Sequence, residues 1–253
     1  AGGVVTELVG VVGALLVDSV TFLVSAAFLW GLPALPPRRA GEVAQAVRVT
    51  DALRYLQGRG KLAGLLLLKA GLSMASGAIV ALPLYGNGLF AATASAGFVG
   101  LLYTGRGVGA LIGSLGLRRL LGDATADMER WIPLFYLMIG CFYALLSWAP
   151  DVFTATGVYL LAAIGTSGVW VFSSVIGQRA VPRALRGRLF ALEFGLMTLM
   201  SSTTSLLAGH LVDSWGWTAR DVVLASGVVL VVPALAWAVL RWWEPEPLAT
   251  VDA

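Results

Sequence analysis

Apolar stretches about 20 residues long recur along this chain, and they constrain its fold more than any short motif does. The hydrocarbon core of a bilayer is about 30 Å thick, so a helix needs about 20 apolar residues to cross it. The chain is 58% apolar and 12% charged, with a mean hydropathy of +0.85, whereas soluble domains carry about 25% charged residues. A soluble fold could not bury this much hydrocarbon. The sequence therefore predicts an all-α fold, a polytopic bundle of transmembrane helices.

The predicted spans comprise six clear apolar runs and one weaker run, each bounded by charge, proline or glycine. They cover residues 12–32, 62–85, 94–117, 131–148, 153–176, 189–212 and 222–242. Residues 1–10 are interpreted as the end of a further span that begins before Ala1.

Lysine and arginine are distributed unevenly among the connectors, and this distribution predicts the orientation in the membrane. Fourteen of the 17 basic residues fall on one side: 13 lie in alternate connectors, and Arg241 lies at the C-terminal end of the last span. The connectors on the opposite side hold only Arg220, and Lys69 and Arg106 lie within spans. Because cytoplasmic loops retain positive charge, we expect the first span to run inward and the C-terminus to be cytoplasmic.

The longest connector, residues 33–61, begins with PALPPRR and continues as EVAQAVRVTDALRYLQGRGK. In the second part, Val43, Val47, Leu53 and Leu56 approximate one face of a helix. Two interpretations stay open at this point: an interfacial helix on anionic lipid, or a solvated linker helix that joins two bundles. Under both, the segment is the natural domain boundary between the first span and the remaining six.

The composition argues against several other classes of protein. In a membrane protein a net charge of +3 mainly reflects which loops are cytoplasmic, so nucleic acid is not an expected partner. The single cysteine, Cys141, excludes an intrachain disulfide and a cysteine-cluster metal site. The chain has one histidine, no carboxylate pair at helical spacing within a span, and no nucleophile elbow. We therefore expect no enzyme activity, no bound metal and no cofactor.

Four segments in combination resemble a known family. They are VDSVTFLVSA at residues 17–26, LLYTGRGVGALIGSLGLRRLLG at 101–122, WVFSSVIGQRAVPRALRGRLFALEFGLMTL at 170–199 and LLAGHLVDSWGW at 206–217. Together they resemble the C-terminal half of major facilitator superfamily (MFS) exporters, in the branch that uses the proton gradient to export drugs and siderophores. A short similarity between AGGVVTELVG and AGHLVDSWG, six spans apart, agrees with a transporter of two repeated six-helix halves.

The resemblance implies an assignment for each part of the chain. Residues 1–32 would be the end of helix five and helix six, 33–61 a cytoplasmic linker, 62–243 a bundle of helices seven to twelve, and 244–253 a cytoplasmic tail. An N-terminal half would precede Ala1, and it would be a partner beside the lipid bilayer and a small-molecule substrate. The implied location is the plasma membrane, here a bacterial inner membrane.

The function implied by the resemblance is secondary active transport: proton-coupled efflux of amphipathic small molecules such as drugs or siderophores, driven by the proton gradient alone. The alternative from another class is a non-transporting membrane protein, either a truncated paralogue or a scaffold that associates with a partner. The sequence identifies neither the substrate nor the direction of transport.

Ionisable residues within the spans are the strongest functional signal, because each costs about 2.5 to 3.5 kcal/mol at the centre of a membrane helix. They are Asp18, Lys69, Arg106, Glu193 and His210. A rise of 1.5 Å per residue places Lys69 and Glu193 at a similar depth, and the resemblance implies that their helices are neighbours beside a central cavity.

Two pairings are therefore expected as alternatives, Lys69 with Glu193 or Arg106 with Glu193, and these three residues are candidates for proton coupling or substrate binding. The other interpretation is a fixed ion pair that locks two helices together. Asp18 is expected to form a helix-packing hydrogen bond, and His210 is expected to lie at the membrane interface.

Two further features of the sequence concern substrate contact and helix packing. Trp170 is a candidate for contact with an amphipathic substrate. The residues Gly105, Gly109 and Gly113 recur at intervals of four and predict a smooth face for close helix packing.

In the connector VPRALRGR, Arg186 and Arg188 match an R-G-R of the family, although simple retention of positive charge on the cytoplasmic side explains them equally well. Arg183 occupies the place where the family usually has an acidic residue, so an acid–base latch at this connector is not expected.

Overall fold

The structure is a computed structural model that describes residues 2–31, 49–84 and 96–249. Within those ranges every regular element is an α-helix and no strand occurs. In chain order the helices are α1 (Gly2–Trp30), α2 (Val49–Leu56), α3 (Gly60–Ser73), α4 (Gly77–Leu84), α5 (Ala96–Leu121), α6 (Thr125–Ser147), α7 (Val152–Ala180), α8 (Arg183–Trp215), α9 (Ala219–Val229) and α10 (Val231–Trp243). The predicted all-α fold is confirmed.

Six segments of the described chain are long and apolar enough to cross a membrane. They are Leu8–Trp30, Gly60–Pro83, Thr125–Ser147, Val152–Ala180, Arg183–Trp215 and Ala219–Trp243. Two of them contain a break in the helix, because α3 and α4 share one segment and α9 and α10 share another. These lengths and compositions are those of a multi-pass membrane protein.

The predicted span 94–117 corresponds to α5, which is not among those six segments. Its 26 residues extend about 39 Å at 1.5 Å per residue, so the helix is long enough. Its apolar character is diluted by Arg106 near the middle, by two arginines in the last turn and by frequent glycines. The helix nevertheless lies within the bundle, where it runs parallel to α7.

Glycine makes the contact between α5 and α7 unusually close. A Cβ atom at Gly109 would lie 2.1 Å from the carbonyl oxygen of Leu160, and one at Gly105 or at Gly113 would lie 2.8 Å from a carbonyl oxygen of α7. A side chain at these positions would force the two helices apart. The three glycines singled out in the sequence therefore lie at a helix–helix contact.

The core of the bundle lies where α3, α6, α7 and the C-terminal helices meet. Phe135 of α6 meets Phe172 of α7 edge to face, with ring centroids 5.4 Å apart. A Cβ atom at Gly140 of α6 would lie 2.8 Å from the carbonyl oxygen of Gly227, so α9 approaches α6 as closely as α5 approaches α7. Small residues replace bulky apolar ones at these crossings, as expected where helices pack within a bilayer.

The helix ends form by local capping rules. The Asp151 side chain accepts hydrogen bonds from the backbone N–H groups of Phe153 and Thr154, both at 2.9 Å, and so begins α7. At the other end of the next helix, Gly216 adopts the left-handed conformation (φ 69°) that terminates α8. Thr218 then forms a capping box that begins α9.

The chain's turns meet at two opposite ends of the bundle. At one end, Lys61 at the start of α3 contacts Glu129 in α6, and Arg179 of α7 contacts Asp123 in the α5–α6 turn. At the other end, Arg220 donates a hydrogen bond to the carbonyl oxygen of Ala149 in the α6–α7 turn. The described parts of the basic connectors that the sequence assigns to one side thus lie at one end of the structure.

Helix α1 lies outside this core. It packs against α5, and none of its residues from Leu8 to Trp30 is buried. Gly10 has non-helical dihedral angles (φ 72°, ψ 173°) and interrupts the helix. This break falls where the sequence separates the end of one predicted span from the start of the next.

Helix α2 is the described part of the long connector, and residues 32–48, with Val43 and Val47, lie outside the described residues. The helix packs against α8 and α3. Ala52 is buried and Tyr55 and Leu56 are partly buried, whereas Leu53 is exposed. Of the two described members of the predicted apolar face, Leu56 contacts the bundle and Leu53 does not, and Ala52 makes the most buried contact of this helix.

Candidate functional site

A cavity of about 340 Å³ lies between α3, α5, α6, α7 and α8. Its walls combine apolar side chains with hydroxyl groups, aromatic rings and one cation. The polar and aromatic lining residues are Ser73, Ser76, Arg106, Tyr143, Tyr159, Thr166, Trp170, Thr198, Ser201 and Ser202. A mostly apolar concave site with a few converging polar groups is the usual form of a small-molecule site.

A buried ion pair lies at the edge of this cavity. The Nζ atom of Lys69 on α3 is 3.2 Å from Oε1 of Glu193 on α8, and the two side chains are only 4% and 2% exposed. Of the two pairings expected from the sequence, the structure contains this one. Arg106 forms no ion pair with Glu193 or with any other described residue.

Two aromatic rings enclose the Lys69 ammonium. Its Nζ atom lies 4.8 Å from the ring centroid of Trp170 and 5.6 Å from that of Phe194. Both distances are within the range in which an aromatic face attracts a cation. Trp170 also lines the cavity, so one indole separates the ion pair from the space that a ligand would fill.

A second buried lysine–glutamate pair provides an internal comparison. Lys61 Nζ lies 2.6 Å from Glu129 Oε2, and both side chains are almost fully buried. Here each charge has further partners: the lysine also donates to the carbonyl oxygens of Glu244 and Glu246, and the other Glu129 oxygen accepts from the Leu248 backbone N–H. This pair fixes the C-terminal segment to the bundle.

The Lys69–Glu193 pair has fewer hydrogen-bond partners than the Lys61–Glu129 pair. The Oε2 atom of Glu193 is buried and has no hydrogen-bond partner among the described residues. Because an unsatisfied buried acceptor costs about 1–3 kcal/mol, and more when it is charged, a fully structural pair would be expected to resemble Lys61–Glu129. The spare acceptor of Glu193 is instead available to a proton, a water molecule or a ligand.

The lining of the cavity also contains Arg106 from α5 and the phenol groups of Tyr143 and Tyr159. The two tyrosine rings are 6.2 Å apart between centroids. The Tyr159 hydroxyl is buried and has no hydrogen-bond partner among the described residues. Sequence reasoning selected Arg106 but not the tyrosines, because a tyrosine in an apolar run is usually a packing residue.

Hydroxyl groups of α8 occupy the break between α3 and α4. Thr204 donates to the carbonyl oxygen of Ser73, and Ser201 donates to the Ser76 hydroxyl, both at 2.9 Å. Turn-type backbone hydrogen bonds, including one from the Ser76 N–H to the Ser73 carbonyl oxygen, span the break. Thr204 adds a side-chain donor to that carbonyl, and Ser201 joins α8 to the Ser76 side chain. The run SSTTS at residues 201–205 could have indicated this role from the sequence.

The connector arginines lie away from the cavity. Arg186 is partly buried and donates from Nε to the carbonyl oxygen of Val181 at 2.8 Å, which ties the start of α8 to the end of α7. Arg183 and Arg188 are exposed. These positions suit a connector that holds two helix ends together.

Asp123 forms a charged cluster at the same end that sequence reasoning missed. It accepts hydrogen bonds from the guanidinium groups of Arg118 and Arg179, the second at 2.8 Å. The hydrogen bond from Arg118, with that from Arg179, holds the pKa of the Asp123 carboxyl below its usual value. The cluster joins the end of α7 to the α5–α6 turn.

The remaining ionisable candidates do not reach the cavity. Asp18 is exposed on α1, and His210 is exposed on α8 with its Nδ1 atom 3.1 Å from the Ser214 hydroxyl. Within the described ranges, no group of three or more His, Cys, Asp or Glu side chains could hold a metal ion.

Comparison with known proteins adds no assignment: no protein family, curated protein or solved structure matches this chain. The candidate function therefore depends on the chemistry of the cavity and its buried pair.

Proposed function

We propose that the protein is a secondary active transporter that couples movement of a small amphipathic molecule to movement of protons, and that the described bundle is one half of it. The observation that carries the proposal is the buried Lys69–Glu193 pair beside a cavity in a bundle of membrane-length helices. Ionisable residues inside a membrane mark ion or substrate pathways when they face a cavity.

The pair supports proton coupling because protonation of Glu193 changes its interaction with Lys69. As a carboxylate, Glu193 attracts the ammonium across 3.2 Å; as a neutral acid it no longer compensates that charge, and Lys69 is left with the faces of Trp170 and Phe194. Because Trp170 also lines the cavity, a shift of the lysine alters the cavity wall. Proton binding and substrate binding then become mutually dependent.

The resemblance to MFS exporters supports the finer details of this proposal. Two bundles would rock about a central cavity, with inward proton movement driving outward substrate movement across a bacterial plasma membrane. The C-terminus and the basic connectors would be cytoplasmic, in agreement with the distribution of lysine and arginine. The partner bundle would come from residues that precede Ala1.

The test measures proton flux in proteoliposomes that are loaded with a pH-sensitive dye. They contain the protein expressed from its complete reading frame. Amphipathic compounds of each charge type, namely ethidium, 2-naphthalenesulfonamide and 2-naphthalenesulfonate, are added under an imposed pH gradient. We expect at least one compound to increase proton flux above that of protein-free liposomes, and Glu193→Gln to abolish the increase.

Glu129→Gln is the matched control, because it neutralises a carboxylate that is equally buried and also paired with a lysine, but whose pair contacts the C-terminal segment and not the cavity residue Trp170. Its coupled flux should equal that of the wild type. Unchanged flux in Glu193→Gln refutes the coupling role of that residue. If no compound moves protons, the alternative of a non-transporting membrane protein is favoured.

A further inference from the structure

The cavity contains an uncompensated cation. Arg106 lies near the middle of α5 and lines the cavity with an exposed side chain, and it has no acidic partner among the described residues. The nearby charges Lys69 and Glu193 are buried behind Trp170, do not line the cavity, and compensate one another. The cavity therefore carries a net positive charge.

An unpaired arginine at this depth of a membrane protein is costly, by about 2.5 to 3.5 kcal/mol on insertion scales. The packing of α5 does not require it, because the contact with α7 is made by glycines on another part of the helix surface. The guanidinium is a planar fork that binds carboxylate, sulfonate or phosphate oxygens through two hydrogen bonds. Its position suits an anionic group that enters the cavity.

A second polar group points to the same kind of ligand. The Tyr159 side chain is only 2% exposed and lines the cavity beside Arg106. Its hydroxyl lies near the Tyr143 phenol without a well-formed hydrogen bond to it. A phenol O–H can donate to an anionic oxygen, and the adjacent guanidinium gives the site the positive charge that favours an anion over a cation. Further along α7, Trp170 supplies an aromatic surface to the same cavity.

We propose that this cavity binds an organic anion with an apolar or aromatic body, whose acidic group contacts Arg106 and the Tyr159 hydroxyl and whose body packs toward Trp170. This assignment rests on the proposed transport function, since it names the substrate class of the same cavity. The volume of about 340 Å³ is at the lower end of the range for small-molecule sites, so a compact molecule fits best.

The test is calorimetric titration of the complete protein in detergent with three naphthalenes that share the same aromatic body and carry an anionic, a neutral or a cationic substituent. They are 2-naphthalenesulfonate, 2-naphthalenesulfonamide and 2-naphthyltrimethylammonium. We expect the sulfonate to bind most tightly. Arg106→Gln should weaken sulfonate binding about ten- to a hundredfold, as expected for the loss of charge-assisted hydrogen bonds, and should leave sulfonamide binding little changed.

Arg106→Lys and Arg119→Gln serve as controls. The lysine keeps the charge but not the fork, so it should retain part of the preference for the sulfonate. Arg119 lies on the same helix outside the cavity, so its replacement should have no effect on binding. A circular-dichroism spectrum for each variant establishes that it is folded.

Three results would overturn the assignment: equal binding of the sulfonate and the sulfonamide, wild-type sulfonate affinity in Arg106→Gln, or no sulfonate binding at millimolar concentration. The last two are expected if a carboxylate from outside the described residues pairs with Arg106. The binding assay does not involve Glu193, so its failure is distinguishable from failure of proton coupling.

Discussion

The Lys69–Glu193 pair makes a prediction about stability that separates a compensated pair from two independent charges. The variants are Lys69→Met, Glu193→Gln and the double variant that carries both. Each single change removes one partner of a pair whose side chains are 4% and 2% exposed. Breaking a buried pair in this way costs about 3–5 kcal/mol, because an uncompensated charge is left in a medium of low polarity.

The structure predicts that the two single variants are unequal. In Glu193→Gln the ammonium keeps the faces of Trp170 and Phe194 at 4.8 and 5.6 Å, and cation–π attraction is worth about 1–2 kcal/mol when it is shielded from water. In Lys69→Met the buried carboxylate has no cation beside it, and its Oε2 atom has no hydrogen-bond partner among the described residues. We therefore expect about 3–5 kcal/mol for Lys69→Met and about 1–2 kcal/mol less for Glu193→Gln.

The double variant is the decisive case. It has no net charge at the site, and replacing a whole buried pair by neutral groups is often neutral or even stabilising. We expect it to melt at a higher temperature than Lys69→Met alone. The assay is the unfolding midpoint of the purified complete protein in one detergent, followed by tryptophan fluorescence. Additive losses in the double variant, or single variants that melt like the wild type, would refute the claim that the two charges compensate one another.

Two other residues give predictions with internal controls. Gly109→Ala should destabilise the protein by about 1–3 kcal/mol in the same melting assay, because its Cβ atom would lie 2.1 Å from a carbonyl oxygen of α7, whereas Gly107→Ala, with open space around it, should not. Asp123→Asn should remove a pH dependence of stability at acid pH. The pKa of Asp123 is held below its ordinary value of 3.8 by two guanidinium groups, so its contribution is fully present above about pH 4 and is lost as the pH falls through the lowered pKa. Melting curves between pH 7 and pH 2 test this, and an unchanged acid dependence in Asp123→Asn would contradict it.

The helices were predictable from the sequence because the membrane imposes a length on apolar runs. The predicted runs correspond to helical regions of the structure with ends shifted by a few residues, and the charged or glycine boundaries mark where helices begin and end. Breaks inside helices were not predictable in this way. The interruption at Met74–Ser76 occurs in an unbroken apolar run. The hydroxyl groups that bind Ser73 and Ser76 beside it come from α8, more than 100 residues further along the chain.

The ion pair at the cavity was partly predictable, and its surroundings were not. Lys69 and Arg106 are the cations that the sequence places within the spans as partners for Glu193, and a choice between them required the packing of α3 against α8. Trp170 was selected as an aromatic surface for a substrate, yet its contact with the Lys69 ammonium depends on the rotation of α7 about its own axis. Periodicity along one chain contains no information about that rotation relative to other helices.

The Lys61–Glu129 pair shows why charged residues near helix ends are the hardest to interpret from sequence. Both residues lie beside charge-rich connectors, where the default interpretation is a solvated loop, yet both are almost fully buried. Burial becomes possible because the C-terminal segment covers them and supplies carbonyl and N–H partners. If Lys61 is removed from the orientation argument as a neutralised charge, 13 of the 14 basic residues on that side are left against Arg220 on the other. The predicted cytoplasmic position of the C-terminus therefore does not depend on whether this lysine is exposed, because the asymmetry comes from the arginines of the connectors.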